Sequence, residues 1–306
     1  MSATIRIHPA SVNPRMFDAI VFAGGGNRCY WQGGFYEAVA ERFALAPGLV
    51  VGVSAGALAC IYSLLGIGPA VRDLVLAGCG PQKRNIDWSG WWSGGPLCPV
   101  GPMYQALVDL VIDQSALSRL QSLTDVHIAV SRMPRGLPPL LGAAIGIGAY
   151  QIEKRLLHPV HPQFGRRLGF LAEFIRVRDL KTPADLCRAV IASGCVPPFI
   201  PIVSLGGRPA FDGGLVDNVP IAPLGPVEAA GGRTLVLLTR VYKRVPRAPG
   251  RTYSPPSRSG SSNLTSPTPM AFAKPTSSAS GMARVSPPPS NRHGRPLSTF
   301  ASPQLG

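Results

Sequence analysis

Apolar residues along the first sixty positions come in short runs broken by glycines. "FDAIVFA" (17–23), apolar but for Asp18, reads as a short buried strand, and after three glycines "YWQGGFYEAVAERF" (30–43) places its apolar residues at helical spacing. "GLVVGVSAGALACIYSLL" (48–65) repeats the arrangement with a Val-rich strand, a sharp turn at Ser54 and a helix from about Ala55. Two successive strand-turn-helix units predict an α/β fold whose parallel sheet is covered by helices. Farther on, "VDLVIDQSALSRL" reads as a helix, "DVHIAV" as a strand, and "PADLCRAVIASGC" as a helix opened by Pro183. "PAFDGGLVDN" reads as a strand ending in a turn and "RTLVLLTR" as a late strand.

Two stretches depart from this rhythm. "WSGWWSGG" (88–95) sets three tryptophans among Gly and Ser, which reads either as a loop folding its rings back on the core or as an exposed aromatic surface. "GLPPLLGAAIGIGAY" (136–150) is apolar but shorter than the roughly 20 residues a spanning helix needs. With Lys154, Arg155, Arg166 and Arg167 after it, the segment reads as a buried hairpin or helix, or as an interfacial flap facing lipid.

Composition changes after residue 245. Pro and Ser supply 25 of the 61 residues from 246 to 306, and no periodic apolar face is left to offset chain entropy. The expected organisation is a folded domain over 1–245 and a disordered tail over 246–306; a shifted reading frame is a second reading of so abrupt a change. Charge follows the same division. Seven of the 30 Lys and Arg lie in the tail, leaving 23 against all 15 acids in the domain. A basic surface of that size suits anionic partners such as lipid headgroups, while no zinc spacing or aromatic-basic repeat points to nucleic acid. Six cysteines without a C-x-x-C pair suit reduced, buried thiols, and the N-terminus carries no apolar signal-peptide core. The expected location is cytoplasmic, with peripheral contact at an anionic membrane face.

Candidate chemistry starts at "GVSAG" (52–56), which fits G-x-S-x-G, the strand-to-helix elbow that exposes a serine hydroxyl. Such a serine needs a base and an oxyanion hole. The best acid is Asp212 in "FDGGLVDNVPI", held at a strand end by a tight turn. His8, His127, His158, His161 and His293 offer little for a serine-acid-histidine order, since His293 alone follows Asp212. A Ser54–Asp212 dyad therefore leads, and it requires the proton affinity of Asp212 to be raised by its surroundings. The opening "GGGNR" supplies backbone N–H groups at a helix start, with Arg28 adding positive potential. The same glycines nearly match a dinucleotide fingerprint, but no acid closes the second strand as a ribose hook.

In that order, "GGGNRC" (24–29), "GVSAG" (52–56), "SGCVPPFIPI" (193–202) and "DGG" (212–214) resemble the patatin-like phospholipases. The resemblance implies a three-layer α/β/α sandwich with a mostly parallel sheet, and hydrolysis of lipid or phospholipid acyl esters without cofactor or metal. It assigns Ser54 as nucleophile, Asp212 as its partner, and Gly24, Gly25, Gly26 and Arg28 as the oxyanion segment. One position departs: Cys29 stands where the family pattern has a last glycine, so a positive φ there would strain it. The alternative is a catalytically silent lipid-binding or scaffold protein of the same fold.

Overall fold

The computed structural model describes residues 16–43, 45–79, 86–94, 98–242, 245–246 and 248–256. The elements run β1 (Ala19–Phe22), α1 (Tyr30–Phe43), β2 (Leu49–Val53), α2 (Ala55–Leu65), α3 (Gly68–Cys79), α4 (Trp88–Trp92), α5 (Val100–Val111), α6 (Gln114–Leu123) and β3 (Asp125–Arg132). They continue with α7 (Pro139–Leu156), α8 (Phe164–Arg167), β4 (Leu171–Arg176), α9 (Pro183–Ser193), β5 (Val203–Leu205), β6 (Arg208–Asp212), α10 (Gly225–Ala229), β7 (Thr234–Leu237) and β8 (Arg251–Ser254). A 3-10 turn over Gly26–Cys29 joins β1 to α1.

The strands form one mixed sheet in the order β5-β6-β3-β2-β1-β7-β8, with β4 also paired to β3. Contacts among β3, β2, β1, β7 and β8 are parallel, and β4, β5 and β6 run antiparallel to their partners. Strands β1 and β2 are buried at every position, as continuous apolar runs between two helical layers must be. Their alternate residues split between two cores. Ile20, Phe22 and Val50 pack with α2, α5, α6 and α9 on one face, while Ala19, Val21 and Val51 pack with Val219, Leu224 and Val236 on the other. The chain thus adopts the expected α/β/α sandwich.

Register explains how two distant motifs meet. On β3, Ala129 is the partner of Val53, the last residue of β2, and the next residue, Val130, is the partner of Asp212, the last residue of β6. The other edge of β3 is taken by β4, so β2 and the antiparallel β6 approach end to end along one edge. Ser54 and Asp212 follow from that junction. The buried Arg132 holds β6 in place: its guanidinium is paired with Glu173 of β4 at 2.7 Å and donates to the carbonyls of Leu205 and Arg208 at 3.1 and 2.8 Å.

Several expectations are corrected. The tryptophan stretch forms the short helix α4, and Trp88, Trp91 and Trp92 stay exposed, stacked edge to face on one another instead of returning to the core. The apolar segment at 136–150 follows its helix reading, since from Pro139 it is the first part of α7; Gly142, Ala143, Gly146 and Ala149 are buried, while Leu140 and Leu141 face outward. Among the described residues no helix is long and apolar enough to cross a membrane. The single helix expected over 108–120 is broken at Ile112–Asp113, because the Asp113 carboxylate accepts the Ala116 N–H at 2.7 Å and caps a new helix. The sheet also extends past residue 245, since β8 pairs in parallel with β7 over Thr234–Leu237. The rest of the expected tail, from 257 onward, lies outside the described residues, as do His8 and His293.

Candidate active site

Ser54 occupies the sharp turn between β2 and α2 with φ 57° and ψ −137°, a conformation an L-residue holds only where the surroundings enforce it. Here they do. Cβ atoms at Gly52 and Gly56 would lie 2.7 Å from the Ala57 Cα and 2.6 Å from the carbonyl oxygens of Phe22 and Ala23. Both glycines of G-x-S-x-G are thus required by contact of backbone with backbone. The Ser54 N–H donates to Ser193 Oγ at 2.8 Å, and that hydroxyl donates to the Ala129 carbonyl at 2.6 Å. The elbow is tied through α9 to β3.

The Ser54 hydroxyl donates to Asp212 Oδ2 at 2.6 Å. Asp212 Oδ1 accepts the Gly214 N–H at 2.7 Å, and the Asp212 carbonyl accepts the Ser131 hydroxyl at 2.9 Å. Both carboxylate oxygens are therefore aimed. Asp212 is 8% exposed, and burial pushes its carboxyl up from 3.8 to about 6, outweighing the lowering by the Ser54 and Gly214 hydrogen bonds. Such a group is ionised at neutral pH yet basic enough to take a proton, the condition a histidine-free dyad requires. Among the described residues no imidazole is bonded to Ser54: His127 pairs with Asp125 at 3.3 Å and His161 with Asp217 at 2.9 Å.

The glycine-rich turn lies beside the elbow, and its three glycines differ. Gly24 has its N–H committed to the Asn218 carbonyl at 3.0 Å, and its own carbonyl accepts from Asn218 Nδ2 at 2.9 Å and from the Thr239 hydroxyl. A Cβ on it would lie 2.6 Å from Asn218 Oδ1 and 3.2 Å from the Ser54 Cβ, so Gly24 is a spacer and not the oxyanion donor expected of it. Gly25 faces Thr239 at 2.5 Å in the same way, and Gly26 needs glycine for its φ of +58°. Among the described residues no backbone carbonyl accepts the N–H of Gly25 or Gly26, which start the turn with their donors free.

Cys29 closes the turn without strain. Among the described residues the only non-glycine positive φ values belong to Ser54 and His158. The Cys29 thiol is buried, donates to the Ala23 carbonyl at 3.5 Å, and is held neutral by burial. Arg28 is exposed on the same turn and makes no hydrogen bond to Ser54 or Asp212 among the described residues. Burial and the nearby Arg240 both lower its pKa.

Ser54 and Asp212 open into a cavity of about 250 Å³, walled by Cys29 and Tyr30 on one side, Leu58 and Tyr62 from α2, Val100 and Tyr104 from α5, and Val196 and Ile200 from the loop after α9. It is a mostly apolar chamber with Ser54 and Asp212 in its wall. The Tyr104 hydroxyl is buried without a partner, and burial followed by the Asp212 charge keeps that phenol protonated. Ser193, Asn218, Thr239 and Tyr104 are parts of this centre that sequence reasoning missed. The first three act on backbone groups that only the folded sheet brings near; "SGC" and "VDN" beside the recognised motifs were the available signal.

A family model described as patatin-like phospholipase matches residues 20–224, more than half of the chain, from β1 through the "DGGLVDN" segment. No curated protein matches the chain. With its sandwich, its G-x-S-x-G turn and this match, the chain belongs to the patatin-like phospholipase family, a family of lipid acyl hydrolases.

Proposed function

We propose that the chain is a serine-dependent lipid acyl hydrolase of the phospholipase A type, working through Ser54 and Asp212. The observation that carries this reading is the 2.6 Å hydrogen bond from a positive-φ serine to a buried carboxylate, in the wall of an apolar cavity. The serine oxygen attacks the ester carbonyl as Asp212 takes its proton. The tetrahedral oxyanion forms against the free N–H groups of Gly25 and Gly26, with the adjacent Ala55 N–H at the start of α2. Asp212 then returns the proton to the departing alcohol, leaving an acyl-serine. In the second half Asp212 takes a proton from water, whose oxygen attacks the acyl carbon, and the proton passes back to Ser54 as the fatty acid leaves.

The cavity, below the roughly 300–1,000 Å³ of typical ligand pockets, suits one acyl chain, so glycerol and headgroup stay outside. The exposed tryptophans of α4, just before the cavity-lining α5, and the excess of basic residues suit peripheral contact with an anionic bilayer. Turnover of a p-nitrophenyl acyl ester by the protein and by Ser54→Ala tests the reading. Loss of hydrolysis with an unchanged circular dichroism spectrum is expected, and equal turnover by the variant would refute it.

A further inference from the structure

Ser54 and Asp212 meet from strands that do not pair with each other. Among the described residues β2 pairs with β1 and β3, and β6 with β3 and β5, so no ladder joins β2 to β6. The 2.6 Å contact between the two side chains therefore depends on what bridges the strand ends. The end of α9 does so. Ser193 Oγ accepts the Ser54 N–H at 2.8 Å and donates to the Ala129 carbonyl at 2.6 Å, and two residues later the Cys195 carbonyl accepts the Asp212 N–H at 3.0 Å. A side-chain hydroxyl thus links β2 to β3 just where their ladder ends, at Val53 and Ala129. The acid turn rests on the same spot: a Cβ on Gly213 would lie 2.5 Å from the Ala129 oxygen and 2.8 Å from Val53 Cγ2.

The two holds are unequal. Asp212 is fixed besides by the Ser131 hydroxyl on its carbonyl, by the Gly214 N–H on its carboxylate and by its register with Val130. For the Ser54 N–H, Ser193 Oγ is the one acceptor among the described residues. Ser193 is fully buried and takes no part in the cavity wall, so whatever it contributes passes through Ser54.

We infer that Ser193 is a positioning residue for the reaction, its hydroxyl holding the elbow in the backbone conformation that sets Ser54 Oγ on the Asp212 carboxylate. This rests on the acyl-hydrolase reading above. A serine at φ 57° keeps that conformation only while its surroundings over-determine it. Without the acceptor for its N–H the turn relaxes and the hydroxyl drifts from its base, and a displacement of about 1 Å costs on the order of 10²-fold in rate.

Ser193→Ala, Ser193→Thr and Ser193→Val in the full-length protein test this by initial rates on a p-nitrophenyl acyl ester over a range of pH, referred to the folded fraction seen by circular dichroism. Ser193→Ala is expected to lower kcat about 10- to 100-fold with KM within about twofold. Its kcat/KM profile should break at a higher pH than the wild type's, because the Ser54 hydrogen bond lowers the Asp212 carboxyl and loosening it removes that pull. Cys29, Tyr104 and Cys195, the other titratable groups that feel Asp212, are kept neutral by burial, so the break reports Asp212. Threonine keeps the hydroxyl and valine, of similar size, lacks it; kcat for Ser193→Thr should exceed that for Ser193→Val at least about tenfold, with the wild-type break restored. This pair carries the test if Ser193→Ala unfolds. Unchanged kcat in Ser193→Ala, equal kcat in the threonine and valine variants, or a fall in kcat with no movement of the break overturns the inference. Fluorophosphonate labelling separates the two readings: no adduct on wild-type Ser54 sinks the hydrolase reading, whereas an adduct formed equally fast in Ser193→Ala sinks the positioning role alone.

Discussion

Two regions of the molecule, one around Asp212 and one around Tyr150, are built on opposite electrostatic plans. In the first a single carboxylate is buried, and every hydrogen bond to it comes from a group fixed at a strand end or a tight turn. Around Tyr150, Lys154 and Arg240 lie against one ring with Arg28 near both, and among the described residues none of the three forms an ion pair with a carboxylate. The first region holds its charge where neighbours already satisfy it; the second gathers like charges around the Tyr150 ring with no carboxylate paired to them among the described residues.

The largest expected effect breaks the first region. Ser54→Ala should lower kcat/KM on a p-nitrophenyl ester by at least about 10³-fold, as loss of a nucleophile does, measured by initial rates. Asp212→Asn should reduce it by a similar factor while raising stability. The sign follows from the carboxyl's pKa of about 6: between about pH 4 and 6 the folded state keeps a proton that the unfolded chain releases. Stability from this group therefore falls as pH rises through that window, and the asparagine, which cannot ionise, should show its greatest gain in Tm above pH 6. In the unaltered protein kcat/KM should fall about tenfold per pH unit below 6 and level off above it, because only ionised Asp212 accepts the serine proton.

Gly26→Ala sharpens the contrast within the turn. Nothing crowds a Cβ there, so its effect comes from the φ of +58° alone, at about 1–2 kcal/mol. A fall of about tenfold in kcat is expected, with Tm lower by about 2–4 °C per kcal/mol in thermal melts. The smallest effect belongs to the periphery. Trp92→Ala should weaken co-sedimentation with phosphatidylglycerol vesicles several-fold, since this ring is 81% exposed and its ring contact is with the also exposed Trp91.

Much of this was legible in the chain itself. Strands β1 and β2 declare themselves as unbroken apolar runs, and the elbow, the "DGG" turn and the glycine-rich segment lie where the fold uses them. What escaped depends on tertiary contact. β4, "LAEFIR", lies on the outer side of β3 with no fully buried position, so alternation never marks it. β8, "RTYS", joins the sheet through backbone pairing to β7 although its composition matches the Pro- and Ser-rich text around it. Gly24 looked like a donor because spacing cannot reveal that its N–H is spent on Asn218. The concern over Cys29 disappears for the same kind of reason: the positive φ sits three residues earlier, at Gly26.

The central claim is that Asp212 activates Ser54, and covalent labelling tests it most directly. Wild type, Ser54→Ala and Asp212→Asn are treated with a fluorophosphonate at pH 8 and examined by intact mass and peptide mapping. The account predicts a single adduct on Ser54 in the wild type, none in Ser54→Ala and labelling slowed by at least about a hundredfold in Asp212→Asn. An adduct formed at the wild-type rate in Asp212→Asn, or on any residue other than Ser54, would contradict it.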